Sequence, residues 1–330
     1  MLDNFKALSL PPSDRITLDD ALDIYQAYRP IMPAAVSASP RNAARLVDVI
    51  GEFDALVLDG YGVINVGSGP IDGIGELFDA AAKADTPIIV LTNGASFDND
   101  KTWSKYQSWG LPITREQIVS SRDAMLNRVI PNGVQSKDYP AIGSLSATSF
   151  PIGVDGERRP DRDADFYQET KNFVMLGAVD WCEEDQEALE QAFYKGGRQL
   201  HVANPDVVSP HEDSLNAEPG YWTARLIKNV ASRLDTGLDA SLFPEPLFYG
   251  KPYAPAFEHA LARLQDLYQR NIDPARVAMV GDSLHTDIIG AGGVGMRSIL
   301  ITDHGLFRDG GAKMAIEKCG IYPDWIVAKV

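Results

Sequence analysis

"ALVLDGYGVI", residues 55–64, is an apolar run that closes on one aspartate and then bends through glycines. Ala55 to Leu58 offer no polar position, as expected of a strand covered on both faces of a parallel sheet. Such a strand delivers Asp59 at its carboxyl end, and Gly60 and Gly62 permit the tight turn that follows. Three other runs end on polar residues in the same way. They are "PIIVLTNG" (87–94) at Thr92 and Asn93, "PLFYGKP" (246–252) at Lys251, and "VAMVGDS" (277–283) at Asp282. Helical patterns such as "GIGELFDAAAKA" (73–84) and "PAFEHALARLQDLYQR" (255–270) lie between or after them. This alternation predicts an α/β fold with a Rossmann-like parallel-sheet core. In open sheets of that kind sites form at the carboxyl ends of the strands, so the four tips are expected to converge. "RSILITD" (297–303) and "DWIV" (324–327) add further strands.

The stretch between Thr92 and Lys251 is too long for one crossover. It holds its own apolar runs, "NFVMLGAV" (172–179) and "GRQLHVAN" (197–204), and a helical pattern at 183–196. The reading is an inserted α/β cap domain at 99–245, leaving 51–98 and 246–330 as the core. Residues 1–50 read as a helical N-terminal extension, from the spacing in "LDDALDIYQAYRPI" (18–31) and "SPRNAARLVDVIGEF" (39–53).

Composition narrows the function. The chain has 330 residues, 45% of them hydrophobic, and a formal net charge of −16, so a nucleic-acid partner is not expected. Cys182 and Cys319, the only cysteines, give neither a disulfide framework nor a zinc site. No apolar run reaches membrane-spanning length and no signal peptide is evident, so no membrane partner and a cytoplasmic location are expected. His201, His211, His259 and His304 lack metal-ligand spacing, and His285 reads as an exposed loop residue. "GAGGVG" (290–295) follows a helix start rather than a strand and is no dinucleotide fingerprint. "SLSATS" (144–149) reads as polar loop.

Taken together, "DGYGVI" (59–64), "LTNG" (91–94), "YGKP" (249–252) and "VGDSLHTDIIGA" (280–291) resemble the haloacid dehalogenase-like hydrolase superfamily. With "ANPDVVSP" (203–210), the resemblance is to its NagD-like class IIA branch, which carries a large α/β cap. It covers roughly residues 55–330. The resemblance implies a phosphatase acting on a small phosphorylated metabolite with Mg²⁺ as cofactor. Asp59 would be the nucleophile, and Thr92, Asn93 and Gly94 would bind the phosphoryl oxygens. Lys251 would place a charge against nucleophile and phosphate. Asp59, Asp282 and the Tyr61 backbone carbonyl would hold the metal, with Asp287 orienting Lys251 or metal-bound water. Asn204 and Asp206 would face the strand tips from the cap and touch the leaving group. Trp181, Tyr221 and Trp222 are expected in core packing. Members of this family commonly dimerise through the cap, so a homodimer is one assembly the resemblance allows.

One position departs from the pattern. Most phosphatases of this superfamily carry a second aspartate two residues after the nucleophile, and here Tyr61 stands in its place. A phenol holds its proton to about pH 10 and is a poor base at neutral pH. Modest activity is therefore expected. Two alternatives remain: a phosphate-ligand binding protein without catalysis, and carbon–halide hydrolysis, because tyrosine at this position also resembles the dehalogenases themselves.

Overall fold

Ala55–Leu58 forms the strand its sequence predicts, and all four residues are buried. In this computed structural model the described residues are 2–129, 141–142, 164–179, 181–211, 214–234, 236–237, 239 and 243–330. "SLSATS" lies outside them. Ala55–Leu58 lies between Val277–Gly281 and Ile88–Thr92 in a parallel sheet of seven strands. On one side the sheet continues through Arg297–Ile301 and Trp325–Lys329 to Arg41–Arg45, and on the other to Ile118–Ser120. The chain builds outward in both directions from the central pair, which leaves a crevice above the tips of Ala55–Leu58 and its neighbours.

Helices cover both faces. Ile74–Ala84 buries Ile74, Leu77, Phe78 and Ala81, spaced i, i+3, i+4 and i+7, against one side of the sheet. Ala254–Tyr268 buries Ala256, Phe257, Ala260 and Leu264 against the other. Each large apolar side chain removed from water in this way contributes about 1.5–3 kcal/mol. A second parallel sheet, of four short strands in the order Leu247–Phe248, Gln199–Val202, Asn172–Met175 and Ala141–Ile142, belongs to the cap.

Three expectations change. Arg41–Arg45 is not helical but forms an edge strand of the main sheet, paired with Trp325–Lys329. Helix propensity in a short Ala- and Arg-containing stretch is a weak preference. It yields here to sheet hydrogen bonds and to the Arg41 guanidinium, stacked 3.9 Å from the Trp325 ring centroid. Residues 99–129, expected within the insertion, extend the main sheet instead: Ile118–Ser120 pairs with Val90–Thr92, and Ala124 of the helix Ser121–Val129 joins the apolar cluster under Ala254–Tyr268. A strand of three residues carries too little periodicity to be recognised. Finally, Leu247–Phe248 pairs with Gln199–Val202 in the cap sheet, so Lys251 arrives on a segment passing from one sheet toward the other.

The N-terminal helices tie the layers together. Leu18–Tyr28 starts with a capping box in which Thr17 and Asp20 satisfy each other's backbone N–H groups. Its Tyr25 hydroxyl accepts from the Val207 amide at 3.0 Å, and its Tyr28 hydroxyl donates to the Gly220 carbonyl at 2.7 Å. Tyr25 also stacks on His285, with ring centroids 4.9 Å apart and planes 3° from parallel. One apolar cluster accordingly runs from Phe5 and Leu22 through Trp222 and Ile227 of the cap to Ile288 and Phe307 of the core.

Tyr25→Phe keeps the ring and strands the buried Val207 N–H, and should lower the free energy of urea unfolding by about 1–3 kcal/mol. Lys318→Ala, which removes exposed ion pairs to Asp19 and Asp23, should cost under about 1 kcal/mol in the same measurement.

Candidate active site

The tips of the central strands bring Asp59, Asp282 and Asp287 together. Each offers a carboxylate oxygen, and these atoms lie within 4.8 Å of one another. The Asp59 amide donates to the Val280 carbonyl at 2.9 Å, which locks the first tip to the second. Asp282 follows Gly281, and Asp287 lies on the π-helical turn Leu284–Ile288. That wide turn curls the Asp287 carboxylate back, so that Oδ2 accepts from the Ser283 amide at 3.1 Å. Side-chain Oδ2 of Asp282 accepts from the Leu306 amide at 2.8 Å and Oδ1 from the Ser283 hydroxyl at 3.1 Å.

Lys251 is 1% exposed, and its ammonium stands 2.7 Å from Asp59 Oδ1 and 2.6 Å from Asp287 Oδ1. Burial pulls its pKa down, but Asp287 and Asp59 outweigh burial and hold it above its ordinary value. Burial pushes the Asp59 carboxyl up against the pull of Lys251, with Asp287 adding to the rise. At Asp282 burial, Asp287 and Asp59 all act upward. Three carboxylates thus face one ammonium. The donor set is all oxygen, it carries an excess of negative charge, and Gly62, at φ +82°, leaves no Cβ to collide with the Asp282 carboxylate. These residues fit a hard divalent cation.

Asn93 connects core and cap. Its Oδ1 accepts from the Lys251 amide at 2.7 Å, while Nδ2 donates to the Lys251 carbonyl at 3.0 Å and to Asp206 Oδ1 at 2.8 Å. Any donor that Asn93 offers to phosphate would therefore be its backbone N–H rather than its side chain. Both Nδ2 hydrogens are engaged in holding the Lys251 backbone and the cap loop. Thr92 Oγ1 accepts from the Gly94 amide at 3.1 Å, and both residues line the cavity.

That cavity, about 240 Å³, opens above Asp59. Tyr61, Asn65, Lys105 and Tyr106 wall it from the core, and Asn204, Asp206, Ser209 and Glu218 from the cap. Asn204 Oδ1 accepts from the Asp206 amide at 2.9 Å, and its Nδ2 donates to Glu218 at 3.2 Å. The Tyr61 hydroxyl accepts from the Gly67 amide at 2.7 Å, and partial burial raises its pKa. Expected site residues Asp59, Tyr61, Thr92, Asn93, Gly94, Asn204 and Asp206 all line this space, and Lys251, Asp282 and Asp287 lie beneath it. His285 is corrected: it is 1% exposed and stacked under Tyr25 with Gln26 at 3.2 Å, and burial lowers its pKa to about 3. Tyr221 and Trp222 are buried in the apolar cluster, as expected, and Trp181 packs against it.

Glu218 was not foreseen. Nothing local in the sequence shows that its carboxylate accepts from the Ser209 hydroxyl at 2.6 Å and faces the cavity. Burial raises its pKa from 4.5 to about 7, and that of Asp206 from 3.8 to about 7.

The haloacid dehalogenase-like hydrolase family matches residues 56–143, and an HAD-hydrolase-like family matches residues 248–327. The acid sugar phosphatase of Staphylococcus aureus is 25% identical over 251 residues, 75% of this chain and 86% of that protein. A possible sugar phosphatase of the same superfamily from Cytophaga hutchinsonii superposes with a TM-score of 0.70 at 21% identity, covering 89% of this chain and 98% of that one. NagD from Escherichia coli superposes with a TM-score of 0.60 at 17% identity, covering 84% and 96%. The chain belongs to the haloacid dehalogenase-like hydrolases. Its parallel core and α/β cap share the fold of NagD.

A carboxyl with a raised folded pKa binds its proton more tightly when folded. The stability it contributes is therefore complete below the unfolded pKa and is lost as pH rises from about 4.5 to about 7 for Glu218. Glu218→Gln should flatten the fall in Tm between roughly pH 5 and pH 8, read by calorimetry at several pH values.

Proposed function

We propose that this protein is a Mg²⁺-dependent phosphatase that hydrolyses small phosphate esters through a phosphorylated Asp59. The observation that carries the reading is the Asp59–Lys251–Asp287–Asp282 cluster at the floor of a cavity between core and cap. Asp59, Asp282 and Asp287, with the Tyr61 carbonyl, would hold the ion, which supplies charge neutralisation at the phosphoryl oxygens. Carbon–halide hydrolysis needs no such ion, and three clustered carboxylates against one lysine favour the phosphoryl reading.

Asp59 attacks phosphorus with the oxygen not held by Lys251, and the ester oxygen leaves on the opposite side. The Lys251 ammonium favours the ionised form of Asp59 against the opposing effect of burial and counters charge on the phosphoryl group, while Asp287 holds that ammonium in place. The Thr92 hydroxyl, whose oxygen accepts from the Gly94 amide and whose proton remains to donate, orients the phosphoryl oxygens. Asn93 sets the position of Lys251. The Tyr61 hydroxyl accepts from Gly67, which leaves its proton free to point into the cavity and hydrogen-bond the departing oxygen. It cannot take a proton from the water that later attacks phosphorus. Breakdown of the phosphorylated Asp59 is the slow step on this account. The polar cap wall of Asn204, Asp206, Ser209 and Glu218 suits a hydroxylated leaving group, and the similarity to an acid sugar phosphatase supports a sugar or polyol phosphate.

p-Nitrophenyl phosphate hydrolysis should require Mg²⁺ and vanish in Asp59→Asn. Tyr61→Asp, which restores an acid–base group, should raise turnover of alkyl phosphates by about 10²-fold or more, because general acid–base catalysis contributes on that scale. Unchanged turnover in Tyr61→Asp would show that proton transfer does not limit the wild type.

A further inference from the structure

Lys105, on the helix Asn99–Ser108, is the cation among the described residues lining the cavity, and it makes no ion pair among the described residues. The residue is exposed, and its ammonium reaches the cavity beside Asn65 and two aromatic rings. It donates to Asn65 Oδ1 at 3.3 Å and lies 5.1 Å and 5.3 Å from the ring centroids of Tyr106 and Trp109. Burial alone moves its pKa, downward, with no carboxylate to compensate. In a chain with a net charge of −16, a cation beside aromatic faces and without an acid partner is available to pair with an anionic ligand in the cavity.

Asn65 repeats the pattern independently. It is 1% exposed and lines the same cavity, and its Nδ2 has no hydrogen-bond partner among the described residues. A buried amide donor left without an acceptor costs about 1–3 kcal/mol. An anion in the cavity beside Lys105 would offer one. Lys251 already serves Asp59 and the transferring phosphoryl group, and Lys105 stands on a different element of the same cavity.

Resting on the phosphatase reading above, we propose that Lys105 and Asn65 form a second anion subsite, so that the preferred substrates are small phosphate esters whose leaving group carries a carboxylate or a second phosphate. Lys105 meets that group with its ammonium and Asn65 with its amide N–H. In a cavity of about 240 Å³ the two anions of such a substrate are separated by only a few bonds. The subsite sorts substrates by charge, whereas the polar cap wall sorts them by hydroxyl pattern.

The test compares glycerol phosphate with phosphoglycerate, in which a carboxylate replaces a hydroxymethyl group, and with glycerol bisphosphate. Lys105→Gln should lower kcat/KM roughly tenfold more for the doubly anionic substrates than for glycerol phosphate, chiefly through KM, as expected for one charged hydrogen bond. Lys105→Arg should restore the preference. Whichever of phosphoglycerate and glycerol bisphosphate depends more on Lys105 identifies the second anion as carboxylate or phosphate. Equal losses on charged and uncharged leaving groups, or no loss on either, would overturn the subsite. Turnover of glycerol phosphate by the wild type reports on the phosphatase reading separately. If it is absent, calorimetric titration of wild type and Lys105→Gln with glycerol phosphate and phosphoglycerate carries the comparison. A loss of affinity confined to phosphoglycerate would support the subsite, and a charge-blind result would overturn it.

Discussion

A lysine ammonium, 1% exposed, held between two carboxylates organises the centre of this protein. Burying a charge costs several kcal/mol, and Lys251 tolerates it because Asp59 and Asp287 stand within 2.7 Å and 2.6 Å. Removal of either acid would leave the buried ammonium with one carboxylate in place of two. Everything that fixes the three groups therefore bears on stability and chemistry alike. Asn93 grips the Lys251 backbone from both sides, Ser283 pins Asp287, and the Asp59–Val280 bond holds the strand tips in register.

The same constraint explains the small residues around the cluster. A Cβ on Gly281 would overlap the Asp287 carboxylate, and one on Gly62 that of Asp282. These glycines let acids press against backbone from which any other residue would exclude them. The result is a floor too negative for its single lysine and a cavity whose opposite wall, from the cap, is also acidic. The N-terminal helix Leu18–Tyr28 fixes that wall in place. Tyr25 bonds the residue after Asp206 and stacks on His285 of the turn that carries Asp287.

Much of this was legible in the sequence, because strands buried on both faces and their polar tips are local features. Asp59, Thr92, Asp282 and Asp287 could be placed from runs of five to eight residues and their order. What escaped was set by contacts between distant segments. Arg41–Arg45 becomes a strand only because Trp325–Lys329 is there to pair with it. Ile118–Ser120 is too short to carry a period. Glu218, Lys105 and Asn65 have no signature of their own, and their meaning comes from the cavity they share. His285 looked like a loop residue because its stacking partner lies in a segment outside the recognised motifs.

Tyr61 is where the proposed mechanism is most exposed to test: on that reading Asp59 and its charge partners are in place, and residue 61 offers no base for the second half of the reaction. The most direct measurement is rapid acid quench of the enzyme turning over p-nitrophenyl phosphate with Mg²⁺, followed by mass spectrometry of its peptides. The account predicts phosphate on the peptide carrying Asp59, accumulating toward one per chain because its hydrolysis is slow. Steady turnover with no phosphate on Asp59 at any time would contradict it.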